Sequence, residues 1–220
     1  MSVPFRDIAA VVFDFDGTLA DSYEAIAASV NHVRATHGLP PLSVDEVKCH
    51  VGRAAPYLLA KTVPVGTVDA NLACYREHHP RVMAPLTRLL PGAGALLRAL
   101  KRTERKVGLC SNKPRLFSEG LLAHLGVGSL FDVVLGPEDV PRPKPAPDML
   151  VRAVERLELP RERVLYIGDM TVDIETARAA GVRVWIVPTG CEARESLLAA
   201  RPDRLIESLE EMLAEVAGVC

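Results

Sequence analysis

Short apolar runs with almost no polar alternation recur along the chain, separated by longer amphipathic stretches. Ile8 to Phe13, Val107 to Cys110, Val133 to Leu135, Val164 to Ile167 and Val184 to Val187 are five such runs. Each ends on polar or turn-forming residues: Asp14, Ser111-Asn112, Gly136, Gly168-Asp169 and Pro188. A run without alternation predicts a strand covered on both faces, as in a parallel sheet. The stretches between repeat apolar residues at helical spacing. Gly92 to Arg102 carries Leu96, Leu97 and Leu100 on one stripe, and Leu116 to Leu125 carries Leu121, Leu122 and Leu125. Met149 to Leu157, Ile174 to Ala180 and Leu205 to Val216 follow the same spacing. The alternation predicts an α/β fold with a doubly wound, Rossmann-like parallel sheet.

One region breaks this rhythm. From about Asp21 to Leu86 the pattern is helical, with no buried strand run. Tyr23 to His37 is amphipathic and stops at Gly38-Leu39-Pro40-Pro41. Ser43-Val44-Asp45-Glu46 has the form of a capping box, and helical pieces follow at Ala54 to Lys61 and Val68 to His78. The expected division is therefore an α/β core from 1–20 and 88–220, with an all-α cap domain inserted at 21–87. Linkers are expected near Ala20 to Ser22 and Pro85 to Arg88.

Composition narrows the function without naming it. The 220 residues are 49% hydrophobic and 25% charged, as in ordinary globular proteins. A formal net charge of -2 offers no basic field for nucleic acid. No stretch approaches the length of a membrane span, and no secretory leader pattern opens the chain. Five cysteines (Cys49, Cys74, Cys110, Cys191 and Cys220) lack metal-like spacing. Their odd number reads as reduced thiols, so a cytoplasmic location is expected. The partner expected is a small molecule, with neither nucleic acid nor membrane involved.

The candidate chemistry lies where the apolar runs end. In an open parallel sheet, ligands bind beyond the carboxyl ends of the strands. Asp14-Phe15-Asp16-Gly17-Thr18 follows the first run. Asp14 suits a carboxylate nucleophile that takes a phosphoryl group, and Asp16 a proton donor to the leaving oxygen. Gly17 permits a tight turn, and Thr18 offers a hydroxyl and an N–H to phosphate oxygens. Two carboxylates crowded at a buried edge call for a cation. Asp169, after the fourth run, is a hard oxygen ligand of the kind Mg²⁺ prefers, with Asp173 one helical turn on as its supporting acceptor. Helix capping by Asp169, Thr171 or Asp173 is the rival reading of that cluster. Ser111 either holds a phosphate oxygen or simply caps the next helix. Lys144, in a proline-rich loop, suits neutralisation of Asp14 and of the phosphoryl oxygens.

Taken in order, Asp14 to Thr18, Ser111-Asn112, Lys144 and Gly168 to Asp173 resemble the motifs of the haloacid dehalogenase superfamily. The resemblance spans essentially the whole chain. It implies that Asp14 is nucleophile and Asp16 general acid/base, with Thr18, Ser111, Asn112 and Lys144 at the phosphate. It further implies Mg²⁺ held by Asp14, Asp169 and the Asp16 backbone carbonyl, and that the helical insert resembles the superfamily's C1 cap. The second aspartate, Asp16, separates phosphatases and mutases from dehalogenases. More closely, Phe13 to Ser22, Gly38 to Ser43, Val51-Gly52-Arg53, Ser111 to Pro114 and Lys144 to Asp148 resemble phosphoglycolate phosphatases. That implies hydrolysis of 2-phosphoglycolate to glycolate and phosphate. A β-phosphoglucomutase-like mutase, a phosphatase for another small substrate, and a silent binding protein on the same fold are the alternatives. Arg53 is the candidate for a substrate carboxylate, since a guanidinium matches that shape. Lys61, Arg76, His78 and His79 are further cap cations, read as solvated.

Overall fold

The computed structural model describes residues 5–218. Cys220 and the first four positions of the expected core segment lie outside them. The elements in chain order are β1 (Ala10–Phe13), β2 (Ala20–Asp21), α1 (Tyr23–Thr36), α2 (Val44–Lys48), α3 (Ala54–Thr62) and α4 (Val68–Val82). They continue with β3 (Arg88–Leu89), α5 (Ala93–Arg102), β4 (Lys106–Cys110), α6 (Arg115–His124), β5 (Val133–Leu135) and α7 (Asp148–Leu157). The chain closes with β6 (Val164–Gly168), α8 (Thr171–Ala180), β7 (Arg183–Ile186), α9 (Arg194–Ala199), β8 (Arg204–Leu205) and α10 (Leu209–Ala217).

The sheet has the order β5-β4-β1-β6-β7-β8, and every pairing in it is parallel. Central β1 explains its own apolar sequence. Val11 and Phe13 enter one apolar cluster with Leu96, Leu97 and Leu100 of α5 and Met212 of α10. Ala10 and Val12 enter the opposite cluster with Met149, Leu150 and Ala153 of α7 and Ile174 of α8. Burying a side chain such as Val11 or Phe13 is worth roughly 1.5–3 kcal/mol. Both faces of β1 must therefore be apolar, which is why the run shows no alternation.

All five expected strands form, and a sixth joins them. Arg204–Leu205 pairs with Trp185–Ile186 at the sheet edge, where the spacing had suggested that the last helix begins at Leu205. The helix starts instead after Ser208, whose hydroxyl accepts the Glu211 N–H. Between β2 and β3 the chain is helical, as expected. Ser43 and Glu46 make the reciprocal capping box at α2. Helix α4 runs past His78 to Val82 with Pro80 inside it. Residues of α1, α2, α3 and α4 share a third apolar cluster that includes Val30, Val33, Leu59 and Tyr75. The chain leaves the core and returns to it through the antiparallel pair β2–β3, Ala20 opposite Leu89 and Asp21 opposite Arg88.

Candidate active site

From β1 the chain moves to β4 and β5 on one side, then crosses to β6 and β7 on the other. A crevice opens at such a switch point, beyond the strand ends. Asp14 and Asp169 follow β1 and β6, the two strands that flank it. The Asp14 N–H donates to the Ile167 carbonyl at 2.9 Å, which continues the ladder one step past the strand. Phe15 packs into the core, fully buried, between Asp14 and Asp16. Gly17 turns the chain at φ +82°. A Cβ there would meet the Tyr23 hydroxyl at 2.1 Å and Asp169 Oδ2 at 2.4 Å, so no other residue fits.

Lys144 is the hub. Its Nζ lies 2.8 Å from Asp14 Oδ2, 2.7 Å from Asp173 Oδ1 and 3.0 Å from the Tyr166 hydroxyl. Burial alone pulls the ammonium's pKa down, but Asp14 and Asp173 outweigh it and hold the group above its ordinary value. It stays charged. Asp173 Oδ2 accepts the N–H groups of Asp169 and Met170, both at 3.2 Å. Asp169 accepts the Thr18 hydroxyl at 2.8 Å and the Tyr23 hydroxyl at 3.4 Å. Burial, then the charges of Asp173 and Asp14, push the Asp169 carboxyl well above the usual range. Oxygens of Asp14, Asp169 and Asp173 all lie within 4.8 Å of one another. This donor set is all hard oxygen, buried, and short of positive charge. It fits a metal ion, and a hard divalent cation best.

Asp16 faces a different set. Its Oδ1 takes the Ser22 hydroxyl and lies 3.1 Å from Lys113 Nζ. A cavity of about 240 Å³ lies over these groups. Asp14, Asp16, Ser111 and Lys113 form its floor, while Leu58, Tyr75, Arg76 and His79 of the helical segment close it from above. His79 is buried, with Nδ1 2.9 Å from the Ser29 hydroxyl and Nε2 without a partner. Burial, helped by Lys113, pushes its pKa down to about 3.

Several expected roles change on this geometry. Ser111 is not the cap of α6; that position belongs to Pro114, and Ser111 lies buried on the cavity floor. The capping alternative for the acid cluster also fails for Asp169, because the α8 cap position is Met170 and Asp173 receives the free N–H groups. Thr18, through its hydroxyl and its N–H, and Asn112 were expected at the phosphate. The Thr18 hydroxyl is instead committed to Asp169. Both Asn112 amide protons go to backbone carbonyls, of Gly52 at 2.9 Å and Lys144 at 3.0 Å, while its Oδ1 accepts the Lys144 N–H at 3.0 Å. The side-chain amide has no donor left for a phosphate; it positions Lys144 and ties the helical segment to the core. Arg53 is exposed over the Tyr57 ring, 5.9 Å from its centre, and takes no part in the cavity wall. Arg76 does.

Lys113, Tyr23, Ser22 and Tyr166 were given no role on sequence grounds. Lys113 carried a signal: it directly follows Ser111-Asn112 at a strand end. The other three are ordinary helix-start and strand residues until the fold brings them together.

With this geometry in view, the fold and motif order define a class. The chain matches the family described as haloacid dehalogenase-like hydrolase over residues 11–187, and it belongs to that family. It is 36% identical over 187 residues to a phosphoglycolate phosphatase of Cereibacter sphaeroides, covering 82% of this chain and 85% of the relative. Phosphoglycolate phosphatase 1 of Pseudomonas aeruginosa is 30% identical over 213 residues, covering 92% and 78%. A solved haloacid dehalogenase-like hydrolase from Bacteroides fragilis superposes with a TM-score of 0.88 at 31% identity, over 93% of this chain and 99% of that one. The protein is an enzyme of the phosphatase branch of its family.

Proposed function

We propose that this enzyme is a Mg²⁺-dependent, cytoplasmic phosphatase that converts 2-phosphoglycolate to glycolate and phosphate, with residues 21–87 acting as a cap over the core. The observation that carries the reading is the Asp14–Lys144 pair, 2.8 Å apart, with the lysine side chain fully buried and Asp14 and Asp16 on the floor of the capped cavity. An Asp14 carboxylate oxygen attacks phosphorus, the ester P–O bond breaks, and Asp16 gives its proton to the departing alkoxide oxygen. Asp16 then takes a proton from water, whose oxygen attacks the aspartyl phosphate; inorganic phosphate leaves and Asp14 is restored. Lys144 offsets the negative charge that gathers around Asp14, and Ser111 offers its hydroxyl to a phosphoryl oxygen. Asp14 and Asp169, with the Asp16 carbonyl, would hold Mg²⁺, which supplies charge neutralisation for the phosphoryl group. Asp173 anchors Lys144 and the Asp169 backbone rather than binding the metal itself.

Substrate choice belongs to the cap. Arg76 above and Lys113 on the floor both line the cavity and give a small carboxylate two cationic partners. Arg53 stands outside it. Among the described residues no helix is long and apolar enough to cross a membrane. The test is phosphate release by the purified enzyme with Mg²⁺ across phosphoglycolate, sugar phosphates, nucleotides and pyrophosphate. The highest kcat/KM is expected for phosphoglycolate. A preference for another ester by orders of magnitude overturns the substrate, and an isomerised sugar phosphate with little free phosphate overturns hydrolysis.

A further inference from the structure

Two cysteines that are distant in sequence meet where the helical segment touches the core. Cys49 ends α2, and its thiol reaches the sulfur of Cys191, in the loop that follows β7. The flanking residues are held together as well: Lys48 Nζ donates to the Thr189 carbonyl at 2.9 Å. This loop is seated on the site. The Thr189 hydroxyl donates to the Gly17 carbonyl, and a Cβ at Gly190 would meet Asp169 Oδ2 at 2.5 Å. Glu192 fixes its far side through the Thr171 N–H at 2.8 Å and hydroxyl at 2.9 Å. Cys49 is exposed and Cys191 half-buried, and both are free thiols.

We propose that Cys49 and Cys191 form a reversible disulfide under peroxide, a covalent latch that ties the helical cap to the core beside Asp169. Cys49, the exposed thiol, attacks a peroxide oxygen. The O–O bond breaks, one water leaves, and Cys49 becomes a sulfenic acid. The Cys191 sulfur then displaces that hydroxyl group as a second water and the S–S bond forms. Two thiols give up two electrons and two protons, and the peroxide takes up both. Cys191 suits the resolving role by position: half-buried, it is shielded from peroxide in solution, while Cys49 is exposed to it.

The latch bears on activity because residues of α1, α3 and α4 stand over the cavity floor supplied by the core. Movement of that helical layer widens or narrows the way in, and a bond tying α2 to the core opposes the motion. This consequence rests on the phosphatase reading above; the bond itself does not. The experiment treats the full chain with hydrogen peroxide, then follows intact mass, thiol-reactive cysteines, mapped peptides and phosphate release. Expected are a loss of about 2 Da for the two hydrogens removed, a fall from five thiols to three when they are titrated after denaturation, and a linked Cys49–Cys191 peptide. Turnover should drop at least about tenfold and return with dithiothreitol, as gating by lid motion implies. Cys49→Ser and Cys191→Ser should each keep the reduced enzyme's rate and resist the loss. An unchanged thiol count, a disulfide between other cysteines, or a Cys49→Ser chain inactivated as fast as the parent overturns the proposal. Because mass reads the linkage without turnover, a chain that releases no phosphate even when reduced, yet still forms the bond, refutes only the phosphatase reading.

Discussion

The Lys144 ammonium and the Asp14 carboxylate lie 2.8 Å apart with the lysine side chain fully buried, and Asp173 grips the same ammonium at 2.7 Å from the other side. A buried cation between two anions is bound to the fold as firmly as to the chemistry. Removing it leaves two carboxylates facing each other without compensation, which costs about 3–5 kcal/mol. Lys144→Met should therefore lower the melting temperature as well as turnover, the latter by about a hundredfold or more. Asp173→Asn halves the counter-charge on the ammonium and turns one of two accepting oxygens into a donor, so it should cost activity and stability, each less than Lys144→Met. Calorimetry alongside phosphate release separates the two variants; a Lys144→Met enzyme with parental turnover would remove Lys144 from the mechanism.

Asp14→Asn keeps the shape of the side chain and removes the nucleophile. Turnover should fall by at least about a thousandfold, in keeping with the loss of a covalent route. The parent should show an acid-stable, base-labile phosphoryl adduct that maps to Asp14 by mass spectrometry. An Asp14→Asn enzyme that still forms the adduct would assign the nucleophile elsewhere.

Arg76 and Arg53 make a paired test of where the cap reads its ligand. Arg76 is on the cavity wall and Arg53 is stacked outside it on Tyr57. Arg76→Ala should raise KM for phosphoglycolate about ten- to a hundredfold, the scale of one lost charge-assisted pair. It should leave KM nearly unchanged for an ester whose leaving group carries no carboxylate, such as a nitrophenyl phosphate. Arg53→Ala should stay within about twofold on both substrates, as surface changes usually do.

The contrast between those arginines shows what one dimension conveys. The sheet is legible because both faces of β1 are buried, and burial on both faces writes an unbroken apolar run into Ala10–Phe13. The acid cluster is legible for a related reason: Asp14, Asp169 and Asp173 sit at strand ends or one helical turn on, so sequence position sets their direction. The side-chain partners of Thr18 and Asn112 were not legible, because each side chain bonds to a residue far along the chain, Asp169 and Lys144. Arg53 and Arg76 both lie on a helical segment whose docking on the core depends on contacts such as Asn112 to Gly52, which no local pattern encodes. Edge strand β8 escaped for want of length, since two residues carry no periodicity.

Chelation offers a test independent of any substitution. Three buried carboxylates share one lysine, so a bound divalent cation relieves repulsion that the metal-free protein retains. Treatment with EDTA should abolish phosphate release, and Mg²⁺ should restore it. Melting temperature should rise with Mg²⁺ concentration, as it must when a ligand binds only the folded state. Asp169→Asn should flatten that rise. A melting temperature indifferent to Mg²⁺ up to millimolar levels would rule out the acid cluster as a Mg²⁺ site.

His79 makes acid stability a local property of the cavity roof. Folded, it titrates near 3 because burial disfavours the imidazolium. Unfolded, it titrates near 6.5. Above pH 6.5 both states hold it neutral and it contributes nothing to the pH dependence. Below pH 6.5 the unfolded chain takes up a proton that the folded chain refuses, so stability falls as pH falls, until both states are protonated below about 3. One such site costs at most about 1.4 kcal/mol per pH unit, so about 2 kcal/mol is lost between pH 6.5 and 5. Urea unfolding of the parent and of His79→Gln at those two pH values isolates the contribution. The variant begins less stable, having lost the bond to Ser29, but its stability should fall by about 2 kcal/mol less over the interval. Equal falls in the two proteins would mean that His79 is protonated in the folded state and that the roof opens to water.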